Sequence, residues 1–255
     1  MTKEQGRAGG KGWRGAGPVR RSGGRGWYRP LSRERVLAAA LALVDREGLS
    51  ALSMRRLGAE LGVEAMALYR YAPSKNALLD GLVEALYLEV EECLAADAEA
   101  GAVAGVPAWR SGLHRIGRVT YDVCLAHPEA VPLLPTRMLR APLARRPLAV
   151  LKDHERVFAL LEEAGLDGAR AGVVFRAITG WVLGYVSVEV CPMAAKPDEP
   201  DPVVRLGLDH LPPRELPRLR MAVALTEPGG PEGLAVGLDA LLDRLVRPIG
   251  AGSVQ

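Results

Sequence analysis

The stretch from residue 31 to residue 75 carries the densest set of helix start and stop signals in the chain. Ser32 precedes an apolar series, Val36, Leu37, Ala40, Leu41, Leu43 and Val44, that recurs at helical spacing, with Glu34 in its first turn and Gly48 at its end. After the short link from Leu49 to Leu52, Ser53 caps a second helix with Leu57 and Leu61 on one face, and Gly62 is placed for the left-handed residue that closes it. A third short helix is predicted from Glu64 to Tyr71 with Leu68 as its inward anchor. Pro73 then breaks it and Ser74 caps the next. Helices this short are not stable alone and must share one small core. Leu57, Leu61, Val63 and Leu68 supply it, while Gly58 allows the second and third helices to approach closely.

From Lys75 the residues Leu78, Leu79, Leu82, Val83, Leu86 and Val90 mark a long amphipathic helix leading away from this unit. The segment from Ala95 to Val106 reads as a loop, followed by a helix through Trp109, Leu113, Ile116, Val119, Tyr121 and Val123 that ends before Pro128. Prolines 128, 132, 135, 142 and 147 cut the next region into short pieces, Val150 to Ala164 forms a helix closed by Gly165, and Asp167 to Val190 forms another that is apolar nearly all round. Cys191 to Pro202 is a Pro- and acid-rich loop, and Pro231 to Val246 makes a final amphipathic helix. With aromatics at only 5%, strand-rich folds are disfavoured. The expected fold class is all-α, with a basic arm over 1–30, a three-helix domain over 31–76 and a larger helical domain over 77–255.

Charge divides the chain unevenly. Residues 1–30 hold 8 Lys+Arg against the single acid Glu4, residues 31–75 hold 7 against 5, and residues 76–255 hold 18 against 24. The front end is rich in Gly and Arg and poor in aliphatic residues, the composition of a flexible basic arm that attracts polyanions. Nucleic acid is the commonest such partner, with RNA and an anionic membrane surface left open by composition alone. No apolar run of 18 to 20 residues is read as a membrane span, and no signal peptide is read at the start. Cys93, Cys124 and Cys191 are odd in number and far apart, which suits a reducing cytoplasm and argues against a disulfide framework or zinc site.

The spacing in 31–75 is that of a helix-turn-helix, which presents its third helix to the DNA major groove while the helix before it crosses the phosphates. The residues S-M-R-R-L-G-x-E-L-G-V from Ser53 and A-L-Y-R-Y-A-P-S-K-x-A-L-L from Ala67 extend that match through Leu68, Tyr69, Arg70, Lys75, Leu78 and Leu79. Over 31 to about 90 the chain resembles the TetR family of bacterial repressors. The resemblance implies contacts to double-stranded operator DNA from Arg55 in the second helix, from Ala65, Met66, Ala67 and Tyr69 in the third, and from Tyr71 and Lys75 to the backbone, with Ser53 capping and touching a phosphate. Arg70 is a further candidate. Ala65, Met66 and Ala67 carry no side-chain hydrogen-bonding group, so base readout is expected to fall on Arg55 and on an arm whose Arg14, Arg20, Arg21, Arg25 and Arg29 reach a minor groove.

The same resemblance implies a homodimer, formed as a four-helix bundle from Asp167 to Val190 and Pro231 to Val246 of each subunit. It also implies release from DNA by a small, largely apolar effector in the C-terminal domain, with a regulator lacking an effector, or an activator, as the alternative readings. Candidate effector contacts are Trp109, Leu134, Met138, Leu139, Phe158, Phe175, Ile178, Trp181 and Tyr185. No metal or other cofactor is expected. Leu134 and Arg137 occupy the region where a metal-chelate binder needs polar ligands, and His114, His127, His154 and His210 show no metal spacing. No nucleophile elbow, phosphate loop or paired-carboxylate arrangement suggests an enzyme.

Overall fold

The first helix, α1 (Arg33–Glu47), begins where Ser32 Oγ accepts the Arg35 N–H at 3.2 Å and ends at Gly48, whose φ of 79° returns its N–H to the Val44 carbonyl. In this computed structural model the described residues are 31–96, 105–139, 142–190 and 229–246, with 212, 214–219 and 221 in addition. They contain helices and turns and no strand. The helices following α1 are α2 (Met54–Leu61), α3 (Ala65–Leu68), α4 (Lys75–Ala96), α5 (Ala108–Ala126), α6 (Leu148–Glu163), α7 (Gly168–Val190) and α8 (Gly230–Leu245). Between α5 and α6 the proline-rich region forms short turns, Pro128–Ala130, Pro135–Leu139 and Leu143–Arg145. The arm over 1–30 and the segment 191–202 lie outside the described residues.

From Ser32 onward the chain forms one unit, and α4 is the reason. Its 22 residues span about 33 Å. Leu78, Gly81, Leu82, Val83, Leu86, Tyr87, Val90 and Leu94 are all buried, more than a single apolar stripe can hold. Gly81 lies against Leu37 of α1, and Arg33 of α1 pairs with Glu84 at 2.6 Å. Further along, Tyr87 faces residues of α5, α6 and α7. One helix is therefore core to both the three-helix head and the body behind it.

Helix α7 packs on α8 through aromatic side chains laid over glycines. Trp181 Nε1 donates to the Leu234 carbonyl at 3.2 Å and Tyr185 donates its hydroxyl to the Gly230 carbonyl at 2.7 Å. A Cβ at Gly237 would run into the Trp181 indole, and one at Gly233 into the Tyr185 phenol, so the glycines on this face of α8 are seats for those rings. The pair is tied to α5 by Arg110, which bonds Asp239 and, at 2.7 Å, Asp243, and by His114 Nε2 at 2.8 Å from Asp239. The expectation that α7 holds no membrane-length apolar run is corrected. It is long and apolar enough by length and composition to cross a bilayer, and a third of its most apolar window is buried inside the protein.

Gly237→Ala should lower stability by about 1–3 kcal/mol, read as a shift of the urea midpoint with an unchanged slope. A change within 0.3 kcal/mol, on the order of experimental error, would show that Trp181 does not occupy this seat.

Candidate nucleic-acid interface and the cavities behind it

The head is held rigid by a few local devices. Ser53 Oγ accepts the Arg56 N–H at 3.2 Å and caps α2, a bond whose loss costs about 1 kcal/mol. Gly62 takes the left-handed conformation at φ 67°, and the Val63 N–H closes on the Gly58 carbonyl at 2.9 Å. A Cβ at Gly58 would lie 2.8 Å from the Val63 carbonyl oxygen, so only glycine permits the turn to sit this close on α2. Leu57 and Leu68 are fully buried and pin α2 to α3. The α-helical part of α3 is shorter than the predicted Glu64 to Tyr71. It ends at Leu68, after which the Tyr71 and Ala72 N–H groups both turn back to the Leu68 carbonyl at 2.9 Å and buried Ala72 leads into Pro73.

This arrangement turns a compact set of residues outward. Met66 is 77% exposed and Tyr69 43%, and Arg55, Ala67, Arg70 and Lys75 are exposed beside them. Ala65 and Tyr71 are half-buried, and Ser53 is exposed at the head of α2. The two adjacent arginines of α2 have different fates. Arg56 is clamped by Glu47 of α1 and by Glu60 at 3.2 Å, and these bonds, that to Glu47 first, raise its pKa. Arg55 makes no ion pair among the described residues. Arg14, Arg20, Arg21, Arg25 and Arg29 lie outside the described residues.

Behind the head, His127 at the end of α5 joins three elements. Its Nδ1 lies 2.9 Å from Asp45 Oδ2 of α1 and its Nε2 lies 2.9 Å from Glu89 Oε2 of α4. Burial works against the charged ring, but the bonds to Asp45 and Glu89 outweigh it and hold the pKa above its ordinary 6.5. His127 and His114 thus serve as ties between helices. Among the described residues no group of three His, Cys, Asp or Glu side chains is arranged to hold a metal ion. A second tie runs from Arg137, in the turn before α6, to the first turns of α4: Nη1 bonds the Asn76 carbonyl at 3.2 Å and the Asp80 carboxylate, and Nη2 bonds Asn76 Oδ1 at 3.1 Å.

Two cavities adjoin α4. One is a small space of about 40 Å³ among α4 to α7, with Phe175, Ile178, Asp153, His154 and Thr120 in its wall. Asp153 Oδ1, 3.9 Å from Arg156, and both His154 ring nitrogens are buried there with no hydrogen-bond partner among the described residues. Burial pushes the Asp153 carboxyl up to about 6 and the His154 imidazole down to about 4. Phe158 stacks on Phe175 at 4.7 Å, and His154 meets Phe175 edge-on at 4.9 Å. The other is an open cleft of about 480 Å³ between the start of α4 and the 136–150 region, where Met138 lies. The predicted effector contacts therefore separate. Phe175 and Ile178 line the small cavity with Phe158 behind them, Met138 lines the cleft, and Leu134 is core. Trp181 and Tyr185 are committed to α8, Trp109 is half-buried at the start of α5, and the Leu139 side chain lies outside the described residues.

Residues 36–82 match the family model described as bacterial regulatory proteins, tetR family. An HTH-type transcriptional regulator of Saccharopolyspora erythraea is 32% identical over 64% of this chain and 66% of its own length. The HTH-type transcriptional repressor DrrR1 of Streptomyces coeruleorubidus is also 32% identical, over 60% of this chain and 52% of its own. The chain thus spans about two thirds and about half of these relatives. The chain belongs to the TetR family. The Streptomyces coelicolor TetR family protein ActR, solved in complex with actinorhodin, shares the fold with a TM-score of 0.65 at 23% identity, over 85% of this chain and 97% of that one.

For a TetR-family chain the unforeseen residues are the ties and not the tip: Asp45, Glu89, Asn76 and Asp80 become significant only once α1, α4 and α5 are assembled. The His127 bridge gives stability that is present below pH 6.5 and is lost as pH rises through the raised pKa. His127→Ala should therefore cost about 1–3 kcal/mol at pH 6 and clearly less at pH 9, measured by urea unfolding. Equal losses at both pH values would mean that packing, and not the charged ring, is what the histidine contributes.

Proposed function

We propose that the protein is a cytoplasmic transcriptional repressor that binds a palindromic operator as a homodimer and is released by a small molecule held in its C-terminal body. The observation that carries this reading is the outward set on the capped head: Arg55, free of acidic partners among the described residues, beside exposed Met66, Tyr69 and Lys75. Ala65, Met66 and Ala67 pack against thymine methyls in the major groove, Arg55 and Arg70 supply charge-assisted contacts, and Ser53, Tyr69, Tyr71 and Lys75 hold phosphates. The arm adds its arginines in the adjacent minor groove, where they favour A·T-rich sequence. Arg55→Ala should weaken binding to a duplex enriched from a random pool by about 10- to 100-fold, and removal of residues 1–30 should weaken it while flattening the salt dependence. Truncated protein with unchanged affinity and salt slope would remove the arm from the account.

The dimer reading rests on what α7 and α8 leave uncovered. Val173, Gly180, Gly184 and Val188 fall on one exposed face of α7, with Val188 69% exposed, and Val236 of α8 is 70% exposed. Among the described residues nothing lies within 4 Å of where a Cβ would stand at Gly180 or Gly184, so a second copy has room to approach the backbone. An apolar, small-residue face of this kind suits a two-fold four-helix interface. Val188→Asp should convert the dimer to monomer in sedimentation velocity. A variant that sediments as the parent does would place the interface elsewhere.

The effector reading is supported by the two cavities beside α4, the helix that opens at Lys75 directly behind the head. The smaller one holds Asp153 Oδ1 and the His154 ring nitrogens, which have no hydrogen-bond partner among the described residues and would be satisfied by polar groups of an entering molecule. ActR was solved with actinorhodin, and a molecule of comparable kind is a reasonable member of a first effector panel.

A further inference from the structure

We infer that the effector is an amphipathic organic anion that seats its carboxylate in the open cleft and displaces Asp80 from Arg137. This rests on the effector-release reading above and names both the chemistry of the molecule and the bond it breaks. The cleft, at about 480 Å³, has the size of a small-molecule site. Its wall carries three guanidiniums, Arg137, Arg145 and Arg146, against the single carboxylate of Asp80. Arg145 is exposed and makes no ion pair among the described residues. Arg146 lies half-buried beside it on the same wall, and burial lowers its pKa. The apolar part of the wall is formed by Pro142 and Pro147 at its surface, over the buried Val83, Met138 and Val150.

The position of the cleft gives binding a consequence. Arg137 is the clamp that holds Asn76 and Asp80 in the first turns of α4, immediately after Lys75. A guanidinium receives a carboxylate through two parallel N–H donors, and Arg137 already spends Nη1 on Asp80. A ligand carboxylate reinforced by Arg145 and Arg146 competes for that fork with a carboxylate that is half-exposed to water. A ligand carboxylate that takes both Nη groups displaces Asp80 and competes with Asn76 Oδ1 as well, which loosens the tie between the start of α4 and the turn before α6 and lets α4 shift together with the head it carries. The ligand thereby has different affinities for two arrangements of α4, which is what coupling to DNA requires.

The test uses the full-length protein and three acids, benzoate, 1-naphthoate and octanoate, each paired with its neutral primary amide. Thermal shift is measured without DNA, and anisotropy of the enriched duplex is measured with it. At least one acid should stabilise the protein and weaken duplex binding 10-fold or more, with its amide at least 10-fold less potent in both assays. Arg146→Gln and Arg145→Gln, each normalised to its own duplex affinity, should reduce the potency of that acid at least 10-fold, whereas Asp80→Asn should raise it by removing the competing carboxylate. Amides as effective as acids, arginine variants with unchanged response, or no response to any acid up to 10 mM would each overturn the inference. Should no duplex be enriched at all, the DNA reading fails, and the thermal shifts alone still decide whether the cleft takes organic anions.

Discussion

Helix α4 buries apolar side chains on too many sides to belong to either half of the molecule. Leu78, Leu82 and Leu86 are fully or almost fully buried, and so are Val83, Tyr87, Val90 and Leu94 on neighbouring faces. Covering all of them requires both α1 on one side and the body helices on the other. The head cannot move independently while that packing is intact. Any displacement of it has to pass through α4 and the polar ties that flank it, His127 to Asp45 and Glu89 at one place and Arg137 to Asn76 and Asp80 at another. Because polar ties of partly exposed groups exchange more readily than packed leucines, they are the points at which the proposed effector would act.

The head itself divides its labour between rigidity and contact. Glycines at 58 and 62, the Ser53 cap and the Arg56 clamp to Glu47 and Glu60 keep α2 and α3 in one geometry. What faces outward is apolar at the α3 tip and cationic around it. In the proposed reading, an apolar tip discriminates by fit to methyl groups and by groove shape, which would place weight on Arg55 and on the arm for hydrogen-bonded readout. The adjacent arginines of α2 show how context assigns roles: one is spent on holding the fold, and the other is available.

Much of the local structure was legible because its causes are local. The caps at Ser32 and Ser53, the stops at Gly48, Gly62 and Gly165, and the helices α4 to α8 lie within a few residues of where capping and periodicity put them. The length of α3 was overestimated, since Tyr69 to Tyr71 keep a helical look in sequence while Pro73 and buried Ala72 bend the chain earlier. Interactions between residues far apart in the chain left no pattern to read. Asp45 and His127 are separated by 82 positions and Asp80 and Arg137 by 57, so neither tie has a periodicity or a motif. The predicted effector set failed to stay together for a related reason. Of the aromatic residues on α7, Phe175 faces the body while Trp181 and Tyr185 face α8, and sequence spacing alone did not tell them apart.

The central claim is that two rigid heads, joined by a two-fold axis through α7 and α8, read one duplex together. Hydroxyl-radical footprinting of the full-length protein on its enriched duplex tests this most directly. The account predicts two protected patches on each strand, related by a dyad and separated by about one helical turn or slightly more, around 34–36 Å or beyond. A single protected patch without a dyad, or protection that does not depend on the sequence of the duplex, would contradict it.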